Sequence, residues 1–232
     1  MYPLARSLRR ARAARQLADS AVPVVRYPEY MAPPPHADDA DDADDAGAWA
    51  GQAPDVPAEL FAHDSHLHGV SHTQRVHIHA QRLVRALNWT EDDARVVLSA
   101  ALWHDIGRVH DGWDPRHGAR SAARVVKRGL HASLSEADAR LALFAIRYHC
   151  RSDGRGASRA AGQDHPERAL LILRLLKDAD ALDRVRLAPP GAGAYEVDST
   201  TLRHPCTPGM IDFAVELLDA LPQRFTAASP AR

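Results

Sequence analysis

Residues 90–107 read TEDDARVVLSAALWHDIG, and the fold follows from how this stretch is phased. Thr90 with Asp93 opens a helix, the hydroxyl capping a free N–H of the first turn. Val96, Val97, Ala100 and Ala101 recur at helical spacing, so they form one apolar stripe. His104 continues that stripe, Asp105 follows it, and Gly107 is a natural stop. An apolar stripe that runs into His-Asp turns polar chemistry towards a core, where an ionised carboxylate is costly unless paired or metal-bound.

The flanking segments repeat the pattern. Upstream, Ser71 with Gln74 reads as a capping box, followed by the stripe Val76, Ala80, Leu83, Val84 and Leu87. Downstream, a helix is expected over about His117–Arg128, closed by Gly129. Ser135 caps a further helix, with Ala139, Ala142, Leu143 and Ile146 inward and His149 at its end. Residues 151–163, rich in Gly, Ser and Arg, read as a mobile loop. Pro166 suits the first turn of a helix striped Ala169, Ile172, Leu173, Leu176 and then Asp180. Thr207 and Pro208 start a last helix with Ile211, Ala214, Val215 and Leu218 inward. No segment alternates as a strand, and residues 193–203 read as a loop. The expectation is an all-α bundle of about six or seven helices over residues 59–224.

Residues 1–58 differ. Arg6, Arg9, Arg10, Arg12 and Arg15 precede Pro33, Pro34 and Pro35 and an acidic run from Asp38 to Asp45. With few large apolar residues to bury, this Arg-rich, then Asp-rich extension is expected to be disordered, as is a short tail over 225–232.

Composition narrows the function. The 232 residues carry 29 basic and 30 acidic side chains, a net charge of −1. That balance gives no electrostatic drive towards nucleic acid or an anionic membrane. Two cysteines, Cys150 and Cys206, make neither a disulfide framework nor a Cys-based zinc site, so a reducing, cytoplasmic setting is expected. No stretch approaches the roughly 18 apolar residues of a membrane span. The oddity is histidine: of 14 in the chain, eleven fall between His63 and His149. Three apolar stripes run into His104, His149 and Asp180, and imidazole with carboxylate suits divalent transition metals.

Three blocks in order carry a resemblance. His72 lies in HTQRV, His104-Asp105 in ALWHDIGR, and Asp180 in LKDADALD. This succession resembles the HD-domain superfamily of metal-dependent phosphohydrolases over roughly residues 60–220. The resemblance implies that His72, His104, Asp105 and Asp180 bind a divalent transition metal (Mn, Fe, Co, Ni or Zn). Members with two metals add two histidines in the interval occupied here by His117 and His149, and Asp105 would then bridge. The alternative for these two is hydrogen bonding to substrate phosphate beside a single ion. In the distal block, Asp178 is about 200° from Asp180 on a helix and points elsewhere, whereas Asp183 suits orienting a ligand or positioning an arginine.

The implied reaction is hydrolysis of a phosphate ester by metal-activated water, with Asp105 at its centre and Arg75 and Arg108 holding phosphate oxygens; Lys177 is a weaker candidate. The substrate is a nucleotide or a small phosphorylated molecule. His68 is read as lining the entrance, His77 and His79 as solvent-side, and His110-Asp111 as a doublet without a site role. Two other classes fit the same residues: a dinuclear iron oxygenase of the same superfamily, and a nucleotide-sensing module without turnover.

Overall fold

The computed structural model describes residues 45–189 and 195–222. Among these the chain is helical throughout, with α1 Ala46–Gly51, α2 Val70–Ala86, α3 Glu91–Trp103, α4 His117–Arg128, α5 Glu136–Tyr148, α6 Asp153–Ala160, α7 Pro166–Leu182 and α8 Ile211–Ala220. Short 3-10 turns follow α7 over Asp183–Leu187 and precede α8 over Thr207–Met210. None of these helices is long and apolar enough to cross a membrane.

Four helices make the core. α3 packs against α2, α5 and α7, and α2 and α5 also pack on α7. Their facing stripes are fully buried: Val76, Ala80 and Leu83 of α2, Val96, Val97 and Ala100 of α3, Ala142 and Ile146 of α5, and Ile172, Leu173 and Leu176 of α7. α4 lies on α5, and α6 on α7. The caps at Thr90 and Ser135 form as expected, each hydroxyl accepting from the N–H three residues on. Gly129 ends α4 at φ +67°, a conformation that favours glycine.

α2 departs from the expected reading in two ways. It has no Ser-Gln capping box. Gly69 is its N-cap, and a Cβ there would lie 2.2 Å from the Ser65 carbonyl oxygen. The close approach of that turn, which only glycine permits, sets the start. Gln74 instead donates to the Pro54 carbonyl at 2.8 Å. Second, α2 is buried on both faces. Ile78 joins Trp49 of α1 and Phe213, Leu217 and Leu221 of the α8 region in a second apolar cluster. Residues 45–58 are therefore part of the fold, and the boundary expected at residue 58 lies earlier; residues 1–44 and the tail at 225–232 lie outside the described residues. His77 and His79, expected towards solvent, are buried under this second layer. The Arg82 guanidinium covers Phe213 at 3.6 Å from the ring centroid.

Residues 153–160, expected as loop, form α6. The Ser152 hydroxyl accepts from the Arg155 N–H, and Gly156 and Ala160 are buried. A Cβ at Gly156 would stand 2.7 Å from Leu173 Cδ2, so this helix docks through small residues that leave no apolar signal. α8 is likewise two-sided: Ile211, Val215 and Leu218 meet the main core while Phe213 and Leu217 face α1 and α2. Two short helices, α1 and α6, thus raise the number above the expected six or seven.

Two outcomes follow. Trp49→Ala empties the second cluster and should cost about 3 kcal/mol in denaturant unfolding. Burial lowers the pKa of both His77 and His79 to about 4. The unfolded chain therefore binds protons that the folded one refuses, and stability should fall as pH drops from about 6.5 towards 4. His79, with neither ring nitrogen finding a hydrogen-bond partner among the described residues, is the sharper test: His79→Leu should flatten that acid limb in pH-dependent urea melts.

A candidate metal centre at the helix ends

The termini of the core helices meet at one end of the bundle. α2 brings His72 in its first turn. The end of α3 brings His104 and Asp105, the start of α4 His117, the end of α5 His149, and the last turns of α7 Asp180. His72, His104, Asp105, His117 and His149 are buried, while the Asp180 carboxylate is 26% exposed and reaches a cavity.

Every one of the four imidazoles has its Nδ1 engaged by an acceptor. His104 donates to the Ala101 carbonyl at 2.8 Å, His117 to the Asp114 carbonyl at 2.5 Å, and His149 to the Ile146 carbonyl at 2.7 Å. His72 donates to Asp183 Oδ2 at 2.7 Å. A carbonyl or carboxylate only accepts, so the proton must sit on Nδ1 and each Nε2 carries a lone pair. Burial keeps the His72 and His104 rings neutral. It lowers the His104 pKa, and with Arg186 as second cause it takes His72 down to about 3.

These lone pairs converge in two groups around one carboxylate. His72 Nε2 is 3.1 Å from His104 Nε2, 3.7 Å from Asp105 Oδ2 and 3.5 Å from Asp180 Oδ1. His104 Nε2 lies 3.8 Å from Asp105 Oδ2 and 3.9 Å from Asp180 Oδ1. On the other side, His117 Nε2 and His149 Nε2 are 2.8 Å apart and stand 3.2 and 3.5 Å from Asp105 Oδ1. That oxygen is buried and accepts no hydrogen bond among the described residues. Two facing lone pairs repel, and a cation relieves them. Donors at about 2.1 Å from one ion stand roughly 3.0–3.4 Å apart, so the residues present fit a bound metal. Groupings able to hold a metal ion include His72 with His104 and Asp180, His104 with Asp105 and His149, and His117 with His149 and Cys150.

Glycine makes the second group possible. A Cβ at Gly118 would lie 2.5 Å from the Ile146 carbonyl oxygen. Without side-chain bulk there, the start of α4 seats against the end of α5 and His117 reaches His149. Gly107 does more than end a helix: a Cβ there would lie 2.2 Å from the Ser121 backbone nitrogen, so the turn after the doublet rests on α4.

The surrounding residues sort differently from their sequence expectations. Asp178 points away and accepts from Arg203, His204 and Thr207, as its phase required. Asp183 takes the orienting role. Burial pushes its carboxyl up, yet Arg75, Arg186 and the His72 hydrogen bond overrule that and hold it far below the usual range. Arg75 is a correction. It is fully buried, donates from Nε to Asp183 at 2.5 Å and from Nη1 to the Leu221 carbonyl at 2.7 Å, and does not face the cavity. It positions Asp183 and cannot hold phosphate. Arg108 does line the cavity and donates to Asp105 Oδ2 at 2.9 Å. His68 also lines it, with Nδ1 3.1 Å from Asp105 Oδ2. His110 is exposed, and Asp111 accepts from Ser65, outside the centre. Sequence reading missed Arg186, which donates to the Leu67 and Asp183 carbonyls and reaches His68. Its spacing three residues after Asp183 was the available signal.

Asp183→Asn should weaken Mn²⁺ binding by about tenfold or more in calorimetric titration, because the His72 ring loses its charged anchor. Wild-type affinity in the folded variant would remove Asp183 from this role.

The HD domain family model matches residues 69–185, from the N-cap of α2 past Asp183. No curated protein and no solved structure matches the chain.

Proposed function

The chain belongs to the HD-domain family, and we propose that it is a metal-dependent phosphohydrolase acting on a small phosphorylated molecule or nucleotide. One observation carries this reading. Asp105 turns one oxygen to His72 and His104, which also face Asp180, and the other to His117 and His149, in the lining of a cavity of about 710 Å³ that also carries several cations. That volume falls in the range of sites for small molecules. The two donor groups favour two ions over a single ion.

A bound divalent metal lowers the pKa of water towards neutrality and polarises a phosphoryl oxygen. The chain's own residues do the remaining work. His72, His104 and Asp180 would hold one ion, and His117 and His149 a second. Asp183, fixed by Arg75, keeps His72 in the tautomer that leaves Nε2 free. Arg108 lines the cavity beside Asp105, and a guanidinium nitrogen that Asp105 does not take would meet a phosphate oxygen there. Phosphoryl transfer asks mostly for such positioning and charge stabilisation.

The six-donor set serves an iron pair as well, which keeps a dinuclear oxygenase as the second reading. A nucleotide sensor without turnover has less support, since such a domain has no need of the full donor set. Metal analysis and a phosphoester panel separate these. The Mn²⁺- or Co²⁺-loaded protein should bind two ions per chain and release phosphate, and His117→Ala should retain about one ion. Asp105→Ala should lose metal and at least about a thousandfold in rate. Hydrolysis persisting in Asp105→Ala would overturn the assignment. Oxygen consumption by the iron-loaded protein without phosphate release would favour the oxygenase.

A further inference from the structure

The cavity above the donor clusters has a cationic wall that the metal chemistry does not use. On α7 and the turn after it, Lys177, Asp180, Ala181 and Arg184 all line the cavity. Their spacing of i, i+3, i+4 and i+7 makes one helical face, so Asp180 has a cation about one turn away on either side. Arg151, two residues beyond His149, lines the cavity from the end of α5, and Arg203 lines it from the segment before α8.

These cations fall into two classes. Lys177 and Arg203 share the Asp153 carboxylate, and Arg203 also pairs with Asp178 at 2.9 Å. Arg186 is committed to Asp183, and Arg108 to Asp105. Arg151 and Arg184 have no carboxylate partner among the described residues. The wall is crowded with positive charge: the Lys177 ammonium is pushed below its usual range by burial first, with Arg203 and Arg184 adding to it against Asp153. With metal balancing Asp105 and Asp180, the cavity carries a positive excess although the whole chain is at −1. Two unpaired guanidinium groups in a concave wall match phosphate, whose oxygens take the planar fork in pairs.

We propose that Arg151 and Arg184 form a second anion subsite beside the metal centre, so that the preferred substrates carry two phosphate groups. One phosphate meets the donor cluster and is cleaved. The other is held by the two guanidiniums and sets the substrate's orientation. This rests on the phosphohydrolase reading, from which it is tested separately.

The probes are AMP and adenosine 3′,5′-bisphosphate, with p-nitrophenyl phosphate as a one-anion substrate, on the full chain loaded with Mn²⁺. Wild-type protein should favour the bisphosphate over AMP by about tenfold or more in kcat/KM, the gain from one or two charge-assisted hydrogen bonds. The Arg151→Ala/Arg184→Ala protein should lose that preference, chiefly through KM. Calorimetric affinity for adenosine 3′,5′-bisphosphate should fall by a similar factor. A wild-type preference near one, or a preference that the double variant retains, overturns the subsite. Should no ester be hydrolysed, the phosphohydrolase reading fails and the calorimetry decides the subsite alone: affinity lost in the double variant upholds it, and unchanged affinity overturns it.

Discussion

Four imidazoles that have given their Nδ1 hydrogens to oxygen acceptors hold their remaining lone pairs within 2.8–3.1 Å of one another in two pairs. Neutral rings do not tolerate that approach unaided, and an anion between them would worsen it. The arrangement is at rest with positive charge at the convergence points. The helix ends, the glycines behind them and the buried Asp105 carboxylate all serve that convergence. At His72 and His104 burial works in the same direction, since it penalises imidazolium and keeps the lone pairs available.

The second constraint is the link from His72 through Asp183 to Arg75 and the Leu221 carbonyl. It joins the metal centre to the end of α8. Arg75 and Asp183 are both fully buried. Such a pair is a poor source of net stability, because desolvation offsets most of its attraction, but removing either partner strands a charge. Its value here lies in orientation. The pair is buried where α2, the turn after α7 and the end of α8 meet, and Arg75 is held there by Asp183 and the Leu221 carbonyl. The arginines that line the cavity, Arg108, Arg151 and Arg184 among them, are other residues than Arg75.

Much of the bundle was legible because its helices carry one apolar stripe each and end in recognisable caps. The stripes of α3 and α7 are buried as phased, that of α5 is so except for the half-buried Leu143, and the Thr90, Ser135 and Gly129 signals mark helix ends in the structure. The parts that were not legible are two-sided or small. α2 reads as amphipathic, yet its polar face, with Arg75, His77 and His79, is buried against a partner layer remote in sequence. α6 docks through Gly156 and Ala160, which hydrophobic periodicity does not weigh.

The same division runs through the site. His104, His117 and His149 each donate to a carbonyl three residues earlier, so their orientation is local and follows from a histidine at a helix end. The sequence by itself determined these three rings, the phase that turns Asp180 to the site and the phase that turns Asp178 away from it. The fourth ring was decided only by the tertiary structure, since the acceptor that turns His72 is 111 residues away. So was the fate of Arg75. Its spacing from His72 placed it one turn from the site on the same helix, but an arginine's direction depends on which carboxylate it meets. That partner comes into reach only when α7 and α8 pack against α2.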